Sequence, residues 1–124
     1  MIVVSDTTPL NYLILIDQAD ILRRLYKRVI IPLAVHNELK NPRTPQKVRN
    51  WTKHQPEWLE MRTVQALNLS LGLGAGERET IALGLELKAD LLLMDDIKAR
   101  RAALEYGQNV TGTLGVLAVA TKKG

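Results

Sequence analysis

Carboxylates at the ends of apolar runs are the residues of this chain best suited to chemistry. Met1-Ile2-Val3-Val4, with small Ser5, runs into Asp6, and Leu91-Leu92-Leu93-Met94 runs into Asp95-Asp96. Such runs, stopping at a polar turn, read as strands buried on both faces in a parallel sheet, where ligands gather beyond the carboxyl ends of the strands. Two strands that deliver acid to that edge predict a shared acidic site. Like charges held together are tolerable chiefly when a metal neutralises them. The chain has no cysteine and only two histidines, His36 and His54, so thiol chemistry and zinc lack residues. The metal this composition can hold is a hard cation on oxygen ligands, Mg²⁺ or Mn²⁺.

Two further acids are candidates. Glu38 shares a helix face with Ala34 and Val35, where a carboxylate turned toward packed surface needs a partner; a solvated Glu at the face boundary is the plainer alternative. Glu77 follows Gly76 and opens a helix, where the dipole favours negative charge and capping would also explain it. It falls on one stripe with Ile81 and Leu85, which turns it inward, whereas Glu79 is expected to face solvent. Asp6 before Thr7-Thr8-Pro9 resembles an ordinary helix cap, although the threonines are available for that role. One of Asp95 and Asp96 is expected to cap the helix that starts at Ile97. Asp96 is assigned as the catalytic carboxylate and Asp95 as its support.

The elements that must position these acids are legible in the punctuation. Thr7-Thr8-Pro9 starts a helix to about Ile16, and a second helix spans about Asp17 to Lys27, with Ile21, Leu22 and Leu25 on one face. Val29-Ile30-Ile31 reads as a strand ended by Pro32, which opens a helix to about Lys40. Asn41-Pro42-Arg43-Thr44-Pro45 is the clearest loop, followed by a helix from about Gln46 to Lys53 and an edge strand within Trp58 to Val64. The glycine-rich Leu71-Gly72-Leu73-Gly74-Ala75-Gly76 leads to a helix from about Glu77 to Lys88. Its spacing is not a dinucleotide fingerprint, and it lacks the lysine of a phosphate loop. After the Leu91 to Met94 strand come a helix from about Ile97 to Tyr106 stopped by Gly107, a short strand at Asn109 to Thr111, and a helix from Thr113. Strands alternating with helices make the fold class α/β with parallel crossovers.

The chain is 124 residues long and 46% hydrophobic, which fits one domain and excludes general disorder. Phenylalanine is absent, so the core must come from Leu, Ile, Val and Ala. No apolar stretch is long enough for a membrane span and no signal peptide is visible, so the protein is expected to be cytoplasmic, with no membrane partner. Net charge is +4, from 17 Lys plus Arg against 13 Asp plus Glu. With four acids in a metal-filled site, the other nine leave +8, which favours a polyanionic partner. Arg100 and Arg101, one turn beyond the aspartate pair, are best placed to meet phosphate. Trp51 and Trp58 read as core or interface anchors rather than base-stacking platforms.

These residues resemble the PIN-domain ribonucleases, which include the VapC-type toxins of prokaryotic toxin–antitoxin pairs. The likeness is carried by Val4-Ser5-Asp6-Thr7-Thr8-Pro9-Leu10; Ile31-Pro32 leading to Val35-His36-Asn37-Glu38-Leu39; Leu73-Gly74-Ala75-Gly76-Glu77-Arg78-Glu79-Thr80-Ile81; Leu92-Leu93-Met94-Asp95-Asp96 with Ala99-Arg100; and Thr111-Gly112-Thr113-Leu114-Gly115. It spans nearly the whole chain and is closest to a PIN-like subgroup of mostly uncharacterised proteins. The resemblance implies a three-layer α/β/α fold with a central parallel sheet, a single PIN-like domain over residues 1–124, and a metal site of Asp6, Glu38, Glu77 and an acid of the Asp95-Asp96 pair, taken as Asp96. It implies a Mg²⁺- or Mn²⁺-dependent endoribonuclease with RNA as substrate, an antitoxin protein as partner and a homodimer as assembly. Two departures stand out. Met94 occupies the position, two before Asp96, where PIN nucleases carry Thr or Ser; Thr113 is the residue expected to supply that hydroxyl and, with Arg100 and Arg101, to meet RNA. The chain also ends at Lys122-Lys123-Gly124 with a helical pattern still running, short of the subgroup's usual C-terminal segment. The alternative is a catalytically inactive PIN-like module that binds RNA or protein.

Overall fold

The computed structural model describes residues 1–65, 69 and 72–123; Leu71, part of the glycine-rich approach, lies outside them. In chain order the elements are β1 (Val3–Ser5), α1 (Thr7–Leu15), α2 (Asp20–Tyr26), β2 (Val29–Pro32), α3 (Leu33–Lys40), α4 (Gln46–Lys53), β3 (Leu59–Arg62), α5 (Ala75–Leu87), β4 (Leu91–Leu93), α6 (Ile97–Glu105), β5 (Val110–Thr111) and α7 (Thr113–Lys123). The strands form one sheet in the order β3-β2-β1-β4-β5. Every pairing is parallel, with Val4 opposite Ile30 on one side and Leu92 on the other. β3 is an edge strand, as its sequence suggests.

Side chains alternate across the pleat, and the alternation divides the core into two layers. Val3, Val29, Ile31, Leu59 and Leu93 pack with Leu10, Leu13, Leu22, Val35, Leu39 and Val116 of α1, α2, α3 and α7. Val4, Ile30, Leu92 and Met94 pack on the other face with Ile81 and Leu83 of α5 and Ala99 and Ala103 of α6. The result is the expected α/β/α sandwich. Trp51 and Trp58 meet at a ring-centroid separation of 6.0 Å and rest on the first layer as packing anchors.

The sheet has a switch point. From β1 the chain proceeds outward through β2 and β3, and it then returns to the other side of β1 for β4 and β5. The crevice that opens beyond such a reversal is where ligands bind in open α/β sheets. Asp6 and Asp95 emerge from the adjacent strands that bound it, and the Asp6 backbone N–H donates to Leu93 O at 2.9 Å.

Close approach of α5 to β4 depends on Gly84. A Cβ there would come within 2.6 Å of Leu92 Cδ2, and Leu92 is fully buried with little room to move. Gly84→Ala is therefore expected to cost about 1–3 kcal/mol through overpacking, despite the better helix propensity of alanine. Urea denaturation of the two proteins checks this.

Candidate active site

Asp6 caps α1: its backbone is extended, and its Oδ1 accepts the Thr7 N–H at 2.8 Å. The threonines do not take over that duty. The same Thr7 reaches a second acid, because its hydroxyl donates to Glu38 Oε2. Thr7 thus holds two carboxylates, one delivered by β1 and one by α3. Glu38 is exposed rather than turned into packed surface. Its other oxygen faces α5 at Gly76, where a Cβ would lie 2.7 Å from Glu38 Oε1 and 3.1 Å from Asp6 Oδ1. Bare backbone at Gly76 is what allows both acids to stand there.

Glu77 follows at the start of α5, half-buried, with its Oε1 accepting the Gly74 N–H at 3.1 Å. That bond is half of a capping box, so helix capping and proximity to the other acids hold together in one residue. Asp6, Thr7, Thr8, Glu38, Gly74, Gly76 and Glu77 line a small pocket of about 140 Å³.

The aspartate pair divides its roles, one of the two capping the next helix as expected. Asp96 is exposed and caps α6, its Oδ2 accepting the Ala99 N–H at 2.9 Å. Asp95 turns back instead. Its two oxygens accept the Thr113 N–H at 2.7 Å and the Thr113 hydroxyl at 2.5 Å, and its charge is felt at Asp6. The four acids expected to form the site were Asp6, Glu38, Glu77 and Asp96; the structure sets Asp6, Glu38 and Glu77 around one pocket, and of the aspartate pair it is Asp95 whose charge is felt at Asp6. The physical reason is the free N–H group in the first turn of α6, which engages whichever aspartate immediately precedes the helix. The hydroxyl assigned to Thr113 is present, bonded to Asp95.

Electrostatics records the crowding. The Asp6 carboxyl is pushed up to about 7, first by burial and then by the charges of Glu77, Glu38 and Asp95, against the lowering effect of the Thr7 N–H. A buried acid in the field of other carboxylates is costly to ionise without a cation. The donor set suits a hard divalent ion, and Gly76 leaves space between Asp6 and Glu38. As the side chains stand, however, no three His, Asp or Glu residues among the described residues converge to hold a metal ion. Hydrogen bonds from Thr7, Gly74 and Thr113 restrain Glu38, Glu77 and Asp95 one by one.

Of the basic candidates, Arg100 stands at this corner: Gly112 is a position where a Cβ would meet both Asp95 Oδ1, at 2.5 Å, and Arg100 Nη1, at 3.3 Å. Arg101 is exposed. Glu79, expected in solvent, accepts the Ala34 N–H at 3.1 Å and so supports the start of α3, the helix that carries Glu38. No sequence signal pointed to it, since the two residues are 45 positions apart.

The family model that matches this chain is described as a PIN domain and covers residues 2–124. Among solved structures the chain is similar to a PilT N-terminus domain protein from the hyperthermophilic archaeon Sulfolobus solfataricus, with a TM-score of 0.70 at 20% identity, over 97% of this chain and 93% of that one. No curated protein matches it.

Proposed function

This chain belongs to the PIN-domain family, whose members are typically nucleases, and from that premise we propose that it is a Mg²⁺- or Mn²⁺-dependent endoribonuclease. One observation carries the proposal: Asp6 is buried at the sheet's switch point, lines a pocket with Glu38 and Glu77, and feels the charge of Asp95. Asp6, Glu38, Glu77 and Asp95 are the residues that would hold the ion. When bound, the cation would supply a Lewis acid that activates water and offsets charge on the phosphate. Thr7 positions Asp6 and Glu38 together, Thr113 fixes Asp95, and Arg100 provides a positive charge for the substrate phosphate beside Asp95.

The test is cleavage of structured and single-stranded RNAs with Mg²⁺, Mn²⁺ or EDTA. Cutting with either metal and none in EDTA is expected. Within that assay, Asp95→Asn is expected to lower the rate by roughly 10²-fold or more, whereas Asp96→Asn, which keeps a capping side chain, changes it less than about threefold. Equal losses in the two variants would overturn the assignment of Asp95.

A second reading, a non-catalytic PIN-like module that binds RNA or protein, draws on the lack of a preformed three-acid metal group among the described residues. It predicts RNA or protein binding that survives EDTA with no cleavage under any divalent ion. The resemblance to VapC-type toxins adds a biological setting, the toxin of a toxin–antitoxin pair. It is tested by growth arrest on expression, relieved by a small protein encoded beside this one. Elution of the purified chain as a dimer would support the homodimer of the same resemblance.

A further inference from the structure

A second polar cleft lies on the side of α3 away from Glu38. His36 and Lys40, one turn apart on α3, and Arg49, Thr52 and Lys53 of α4 border a groove of about 440 Å³. Helical spacing places Glu38 roughly opposite the His36–Lys40 pair, so α3 carries Glu38 on one side and borders the cleft on the other.

The cleft is cationic and uncompensated. No acid borders it, and no ion pair of Lys40, Arg49 or Lys53 occurs among the described residues. Arg49 is held in place where its Nε donates to Thr44 O at 3.0 Å, which leaves the remainder of its guanidinium fork for another acceptor. Convergent positive charge of this kind concentrates anions.

The side chains at the rim favour one class of anion. Among the described residues those bordering the groove are His36, Lys40, Arg49, Thr52 and Lys53, none of them an aliphatic or large aromatic anchor, and the apolar surface they offer is side-chain stem. An acidic peptide would need apolar or aromatic anchors to bind there with specificity, whereas phosphodiester contacts need charge alone. We propose that the α3–α4 cleft is a phosphate-binding groove that takes the sugar–phosphate backbone of RNA bound across α3 from the acids. The inference rests on the ribonuclease reading for its ligand class, but its test is separable.

Binding of a fluorescent single-stranded RNA of about 12 nucleotides is measured by anisotropy in EDTA, where no cutting occurs. The proteins compared are the parent, a Lys40→Gln/Lys53→Gln pair, a charge-keeping Lys40→Arg/Lys53→Arg pair, and a Lys88→Gln/Lys122→Gln pair on exposed helix ends elsewhere. Neutralising the cleft is expected to weaken binding by about tenfold and to flatten the log affinity against log salt slope by about 1.4, the value for two lost phosphate contacts on a single strand. The arginine pair and the distant pair should stay within about twofold of the parent. Equal losses in the distant pair, no loss in the cleft pair, or a parent that binds no RNA would each overturn the proposal. So would cleft-dependent binding of poly-glutamate without binding of RNA. Cleft-dependent binding by a parent that cuts nothing removes the nuclease reading and keeps the cleft; cutting with cleft-independent binding does the reverse.

Discussion

Asp6→Asn is expected to abolish RNA cleavage, by about 10³-fold or more, while making the metal-free protein more stable at pH 8. Loss of activity follows because Asp6 is the acid around which the others are arranged, and members of a cooperating set fail together. The gain in stability follows from proton linkage. The folded carboxyl titrates at about 7 against an ordinary value of 3.8. Between those values the folded state holds a proton that the unfolded state lacks, so Asp6 lowers stability as pH climbs through that window and remains destabilising above it. The cost at pH 8 is on the order of 4 kcal/mol. The amide keeps the acceptor for the Thr7 N–H and carries no charge. Thermal unfolding of parent and variant in EDTA, from pH 4 to pH 8, should show a variant advantage that grows with pH and vanishes near pH 4. A constant offset would show that burial among acids is not its source. Metal affinity of the parent should rise over the same pH range, weakening as pH falls below 7 because the ion must displace the proton.

Gly76→Ala is the second large effect, and it separates function from stability in a different way. The added methyl would meet Glu38 Oε1 at 2.7 Å and Asp6 Oδ1 at 3.1 Å, so one carboxylate must leave the pocket. Glu38 is exposed and can swing outward at little cost. Alanine is also the better helix former, by up to about 1 kcal/mol. Cleavage is therefore expected to fall by about 10²-fold, as for a displaced catalytic group, with a melting temperature unchanged or higher. Gly74→Ala is the control, since its methyl would make only an ordinary 3.5 Å contact with Glu77. A Gly76→Ala enzyme as active as the Gly74→Ala one would show that Glu38 is not needed beside Asp6.

The parallel sheet and its helices were legible because buried strands write themselves as short apolar runs and Pro or Gly marks where they stop. The ends moved by one to three residues: α2 begins at Asp20 rather than Asp17, and α5 at Ala75 rather than Glu77. That Asp6 and Glu77 stand together was legible from their positions after a strand and at a helix start, whereas Glu38 reaches their pocket from an exposed position rather than from a packed face. The choice between Asp95 and Asp96 was not, because consecutive residues differ only in which is closer to the first turn of α6, and that turn's free N–H decides which one caps. The supporting role of Glu79 and the cationic cleft were also hidden. Each depends on how α3 lies against α5 and α4, and composition along one helix does not encode the packing of two.

The order of the strands also has a consequence for when this protein can act. β1 is the first strand made and the middle strand of the sheet, yet its partner β4 lies 88 positions further along the chain. A ribosome must therefore release most of the polypeptide before one flank of β1 is covered and before Asp95 can approach Asp6. Pairing over such a separation is slow, and an uncovered flank invites association with other strands. For a catalyst that would cut RNA, late completion has a useful side: until the segment that carries β4 and Asp95 has emerged, a nascent chain lacks one wall of the proposed centre.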